Sequence, residues 1–140
     1  MSPEEDFARR FEAVWESPSA EALVALLDPD IVLVQPHHRP LRGKDMARRE
    51  FESLFRWLPE FCGDVKRWYG GDGVVLIEWK MKFPIGRKPT WIPAVDRFVL
   101  GEDGLARERV AYFNPLPLFL AVAIRPHYWP GFLRHQWAIR

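Results

Sequence analysis

The residue best placed to do chemistry is Asp96. It stands in an apolar-rich run, Trp91-Ile92-Pro93-Ala94-Val95-Asp96-Arg97-Phe98-Val99-Leu100, followed by Gly101-Glu102-Asp103-Gly104 and a second run from Leu105 to Asn114. Two such runs around a four-residue loop predict a β-hairpin. Side chains alternate across a strand, so Asp96 shares its face with Ala94, Phe98 and Leu100, while Arg97 points the other way with Val95 and Val99. A carboxyl group on an apolar face has two readings. In a pocket, desolvation raises its pKa and it can act as acid, base or hydrogen-bond donor. Near a sheet edge, it accepts hydrogen bonds from a neighbouring loop or pairs with an arginine such as Arg107 or Arg109.

The other candidates carry weaker signals. His37-His38 lie in a loop between Pro36 and Pro40. Adjacent loop residues rarely ligate one ion and no third ligand has matching spacing, so no metal is expected, although one of the rings can reach a pocket mouth. Glu78 alternates with Val75, Ile77, Trp79, Met81 and Phe83 and reads as a solvated or cross-strand-paired acid on the outer face. Arg42 and Lys44 cap or solvate a helix start.

The elements that must position these residues follow from periodicity. Ser2-Pro3-Glu4-Glu5 is an N-cap with proline in the first turn, and Phe7, Phe11, Val14 and Trp15 recur at helical spacing. Ser19 caps a short second helix carrying Leu23, Leu26 and Leu27, which Asp28-Pro29-Asp30 ends. Ile31 to Val34 reads as a short strand and Gln35 to Pro40 as a loop. Gly43-Lys44-Asp45 starts a third helix with Met46, Phe51, Leu54, Phe55 and Leu58 on one stripe. From Asp64 the pattern turns to strands: Val65–Tyr69, Val74–Phe83 and the hairpin. Helices followed by a strand meander predict an α+β domain whose curved antiparallel sheet wraps around three N-terminal helices as a cone with a hollow.

Composition bounds the function classes. A chain of 140 residues with net charge +1 is one domain of globular size and lacks the basic excess of a nucleic-acid binder. Charge is nonetheless uneven: acids crowd the first thirty residues, and none follows Glu108. Cys62 is the single cysteine, so no intrachain disulfide is available. Nothing resembles a signal peptide, and the longest apolar run, Leu116 to Ile124, contains Pro117 and is about half a membrane span, so a soluble cytoplasmic protein is expected. Seven Trp and ten Phe either fill a core or line a cavity.

The element order, with Ala25-Leu26-Leu27-Asp28-Pro29-Asp30, Gln35-Pro36 to Arg42-Gly43, Gly86-Arg87-Lys88 and Val95-Asp96-Arg97-Phe98 to Gly104, resembles the nuclear transport factor 2-like superfamily over roughly residues 5–115. Within it the chain is most similar to SnoaL-like polyketide cyclases and ketosteroid isomerases. The resemblance implies a cone fold, a homodimer and an apolar pocket that binds a small ligand without a cofactor. Asp96 matches the oxyanion-hole acid of the isomerases, but their general-base Asp falls on Gln35 and their oxyanion Tyr on Phe11. The usual isomerase constellation is therefore incomplete. In the cyclases the resemblance implies one acid/base carboxylate at or near Asp96. The expectation is proton transfer on a flat, apolar carbonyl compound, with Asp96 as acid/base, Gln35 as a polar contact, and Trp15, Phe55, Trp79, Phe98 and Tyr112 as walls. The rival expectation is a non-catalytic ligand-binding or dimerisation module.

Residues 116–140 exceed the compact family domain of residues 1–115. Their Leu, Phe, Trp and Tyr are too many for a free tail. They form a helix over about Leu116–Ile124 that closes the pocket or pads the sheet, or they are buried in a dimer, or they touch a membrane surface through Trp, Tyr and Arg.

Overall fold

The computed structural model describes residues 1–139; Arg140, the last residue of the expected extension, lies outside them. The chain is α+β. Three helices, α1 (Pro3–Glu16), α2 (Ala20–Val24) and α3 (Lys44–Trp57), precede and interrupt a six-stranded sheet of β1 (Leu27–Gln35), β2 (His38–Arg42), β3 (Cys62–Gly71), β4 (Val74–Phe83), β5 (Thr90–Leu100) and β6 (Ala106–Phe113). Two further helices, α4 (Leu116–Ala123) and α5 (Trp129–Ala138), end the chain, joined through a 3-10 turn at Pro126–Tyr128.

The sheet order is β2-β1-β6-β5-β4-β3. All neighbours are antiparallel except β1 and β6. That parallel pair closes the meander onto the first strand and brings both ends of the domain together at the sheet centre.

Local chemistry explains the element ends. Ser2 Oγ accepts from Glu5 N at 3.1 Å and Ser19 Oγ from Ala22 N at 3.1 Å, capping α1 and α2. The spacing of Phe7, Phe11 and Trp15 buries one face of α1 on the sheet. In β4, Val75, Ile77, Trp79, Met81 and Phe83 are all buried, while Glu78 pairs with Arg67 on the outer side at 2.8 Å.

Two segments depart from expectation. Asp28-Pro29-Asp30 does not end a helix; the chain enters β1 directly at Leu27, with a bulge between Leu27 and Val32. Asp28 Oδ1 accepts from Asp30 N at 2.8 Å, a local turn that accommodates Pro29 within the strand. Gln35 to Pro40 is not one loop but a tight hairpin in which Gln35 pairs with His38, and Pro40 is tolerated because β2 is an edge strand.

Gly63 marks where the core is tightest. A Cβ there would lie 2.4 Å from the Trp79 ring and 3.4 Å from Trp15. Gly63→Ala is expected to lower stability by about 1–3 kcal/mol in denaturant unfolding, because Trp79 is fixed on both faces and cannot move aside. An unchanged midpoint would show that the indole has slack.

Candidate functional site

A cavity of about 50 Å³ lies between the inner face of the sheet and the helices, with room for a few waters. Trp15 of α1, Phe51, Leu54 and Trp57 of α3, Trp79, Met81 and Phe83 of β4, and Phe113 of β6 wall it, and Leu118 and Phe132 of the C-terminal helices close it. The polar lining is Gln35, His37, Glu50, Arg109, His135 and Gln136.

The strands fix the first charged pair. Asp96 faces Ala111 across the β5–β6 ladder and Arg109 faces Phe98, so the two charged residues are diagonal neighbours on one face. Arg109 Nε and Nη2 reach Asp96 Oδ2 at 2.9 and 2.8 Å. Asp96 is wholly inaccessible and Arg109 nearly so. Burial pushes the Asp96 carboxyl up, the Arg109 guanidinium holds it back, and the Glu50 charge adds to the upward push. The Trp79 indole approaches and favours the charged form, but neither its Nε1 nor Asp96 Oδ1 completes a hydrogen bond of good geometry.

The second pair comes from α3 and the β1–β2 hairpin. Glu50 is buried and its Oε1 accepts from Gln35 Nε2 at 2.9 Å. His38 Nε2 lies 3.6 Å from the same oxygen. His38 Nδ1 lies 2.8 Å from the Arg39 carbonyl, which only accepts, so Nδ1 carries a proton. Nε2 then faces a carboxylate, and the favourable form is the imidazolium. Burial opposes that proton, but Glu50 overcomes it and the His38 pKa is raised. For Glu50, burial works against ionisation, yet His38 holds its pKa below the ordinary value. Glu50 Oε2 has no partner. His37 packs its ring against His38 with centroids 4.4 Å apart; burial and the neighbouring His38 charge lower its pKa to about 4, so it is neutral. His135 of α5 bonds Ser53 at 2.8 Å and is also held neutral by burial.

The structure brings Trp15, Gln35 and Trp79 to the cavity, with Asp96 directly beneath its floor. It does not bring Phe55, Phe98 or Tyr112 there. Phe55 stacks behind Trp15 and Phe61, and Phe98 packs on Phe7 and Phe11 in the core. Tyr112 is opposite Val95 on the outer face and 56% exposed, because strand alternation turns it away from Ala111 and Phe113. The sequence reading missed Glu50, Arg109 as a cavity residue, and His135. A signal existed for Glu50: it is four residues from both Met46 and Leu54, on the apolar stripe of α3. Among the described residues no three His, Cys, Asp or Glu side chains are gathered to hold a metal ion.

Arg109→Met is expected to cost about 3 kcal/mol at neutral pH, since it leaves a buried carboxyl without a counter-charge. Asp96 would then hold its proton more tightly in the folded state, so the loss should be present well above pH 3.8 and vanish as pH falls toward it. A loss independent of pH would mean that Arg109 matters for packing alone. The stability of the parent should also fall as pH falls from 6.5 toward 4, because unfolded His37 takes a proton that the folded site refuses, roughly 3 kcal/mol at the limit. His37→Gln should retain part of that stability at the acid end in urea titrations. The Glu50–His38 pair acts in its own window: it contributes fully between the ordinary values of 4.5 and 6.5. It fades as pH falls through the lowered Glu50 value or rises through the raised His38 value.

The model of the SnoaL-like domain matches residues 8–109, most of the chain. No curated protein sequence matches it. Solved structures agree at the level of the fold. A nuclear transport factor 2-like protein of unknown function from Burkholderia pseudomallei is 12% identical with a TM-score of 0.75, covering 87% of this chain and 98% of that one. TerC, co-crystallised with polyporic acid, is 14% identical with a TM-score of 0.74, covering 87% and 99%. A protein with a ketosteroid isomerase-like fold from Catenulispora acidiphila, in complex with trimethylamine, is 14% identical with a TM-score of 0.70, covering 81% and 88%. With the family model running from within α1 into β6, the chain belongs to the SnoaL-like family of the nuclear transport factor 2-like fold.

Proposed function

We propose that the cavity binds a small, largely apolar carbonyl compound and moves a proton on it, as an isomerase or cyclase acting without metal or cofactor. The observation that carries this reading is the pairing, in one apolar cavity, of a carboxylate with a free oxygen, Glu50 Oε2, and a guanidinium, Arg109. Glu50 takes a proton from carbon next to the carbonyl. The electron pair moves onto the carbonyl oxygen, where the Arg109 N–H groups stabilise the enolate. Returning the proton to another carbon gives isomerisation; attack of the enolate carbon on a second carbonyl closes a ring, and the alkoxide so formed takes back the proton from Glu50. Asp96, expected from sequence as acid/base, has no atom at the cavity surface, so it enters the proposal as the group that positions Arg109. Gln35 and His38 hold Glu50 ionised, which makes it a weak base and restricts the substrate to an already acidic C–H. A ligand larger than a few waters enters as Phe132 and Gln136 swing aside. That TerC was crystallised with polyporic acid supports a small organic ligand.

A second reading has its own support. Asp96 pairs with Arg109 and Glu50 with His38, as in a site built to be stable rather than reactive. A ligand-binding module without turnover, dimeric or not, would look the same at this floor.

Deuterium wash-in at the acidic carbon of 2-tetralone, followed by NMR, separates the two. The proposal expects catalysed exchange that falls about 100-fold or more in Glu50→Gln, with a smaller loss in Asp96→Asn. Exchange at the buffer rate, with the probe still quenching tryptophan fluorescence, would establish the binding module instead.

A further inference from the structure

The C-terminal helices leave an apolar face that the cavity does not use. The exposed apolar side chains recur as Leu116, Phe119 and Leu120 on α4 with Ile124 just past its end, and as Trp129, Leu133 and Trp137 on α5, at helical spacing. Phe119 and Ala123 from α4 and Trp129 and Leu133 from α5 line a single groove of about 600 Å³, which brings part of each stripe together. Trp129 Nε1 donates to Val122 O at 2.8 Å, which locks the ring across the helix pair. Ile124, Leu133 and Trp137 are 71%, 63% and 76% exposed, and clustered apolar exposure of this kind marks an interaction surface.

A basic rim adjoins that face. Arg87 and Lys88 from the β4–β5 loop, with Arg125 and His127 from the 3-10 turn, line one cleft of about 770 Å³ together with Gly86 and Tyr128. The loop is fixed to the helices rather than merely near them. Gly86 N donates to Tyr128 Oη at 3.5 Å, and at its φ of +83° Gly86 leaves no space for a Cβ beside the Arg125 guanidinium, 2.6 Å away. The sequence from Arg109 onward contains no acid to offset these charges.

We propose that this face docks on an anionic phospholipid surface. Apolar side chains at one level, tryptophans among them, and cations at the rim match the layering of acyl boundary and headgroups. A self-complementary pairing of this face with the same face of a second copy would need acidic groups to meet the rim, and the chain from Arg109 onward carries none. Phe132 and Gln136 line both the groove and the closed cavity, so docking would set the lipid beside the cavity wall. The proposal does not depend on turnover.

The test is flotation of the full chain with vesicles of phosphatidylcholine alone or of a three-to-one mixture of phosphatidylcholine and phosphatidylserine. The protein should float with the anionic vesicles and not with the neutral ones. Binding should drop about tenfold or more in the doubly substituted Arg87→Glu, Lys88→Glu chain, and comparably in Leu133→Glu. Both substitutions fall on exposed positions, and far-ultraviolet circular dichroism checks that each variant is folded. Failure to float with anionic vesicles, equal binding to neutral ones, or binding unchanged in folded Leu133→Glu would each overturn the proposal. So would a lipid-free dimer, seen by sedimentation equilibrium, that Leu133→Glu dissociates, since a second copy would then cover the face.

Discussion

A guanidinium buried at the middle of a sheet must be neutralised where it stands, and the Arg109–Asp96 pair sets the terms for everything around it. Arg109 is nearly inaccessible and brings a guanidinium charge with it, so β5 has to supply a carboxylate within its reach. The diagonal register of β5 against β6 does so. Asp96 in turn is affordable only because Arg109 is present, and the nearby Glu50 carboxylate makes its position harder. The charge of Glu50 is met separately, by Gln35 and a protonated His38 from the β1–β2 hairpin. Two acids and two cations thus balance beneath an aromatic lining, each held by a different element of the fold.

This balance explains why the cavity is both polar at its floor and nearly full. Low polarity strengthens every pair beneath it, and water would weaken them. The aromatic layer of Trp15, Trp79 and Phe61 keeps water out from one side, while α5 keeps it out from the other by packing closely on α3. That contact requires a glycine: a Cβ at Gly131 would lie 2.4 Å from the Trp57 ring. His135, held neutral and bonded to Ser53, lets α5 present a polar residue to the cavity without adding a charge to the floor.

Much of this was legible in the sequence where one pattern dominated. Alternation in β4 identified the buried face, helical spacing identified α1 and α3, and the Gly101–Gly104 turn placed the hairpin that carries Asp96. Readings failed where a local breaker was overruled by tertiary contacts. Pro29 and Pro40 suggested a stop and a loop, but a bulge and a sheet edge absorb them. The helical period of α3 places Glu50 on the apolar stripe, but its partners from β1 and β2 come only from the tertiary fold. Tyr112 was assigned to the pocket by its type, although its parity on β6 opposes it to the inward Ala111 and Phe113. Parity is the stronger evidence on a strand, since side chain direction there is fixed by the pleat and chemical type is not.

The same logic bears on what a ligand must do. Free space of about 50 Å³ is too small for the largely apolar carbonyl compound proposed as ligand, so on that proposal binding has to displace part of the wall. The sheet side cannot yield, since Trp79 is wedged between Gly63 and Trp15 and rests above the Asp96–Arg109 pair. The side formed by Leu118, Phe132 and Gln136 belongs to α4 and α5, whose outer stripe is exposed among the described residues. Opening therefore costs least at α4 and α5, and any surface that engages their outer stripe shifts the balance between the closed and the open cavity by the difference in its affinity for the two.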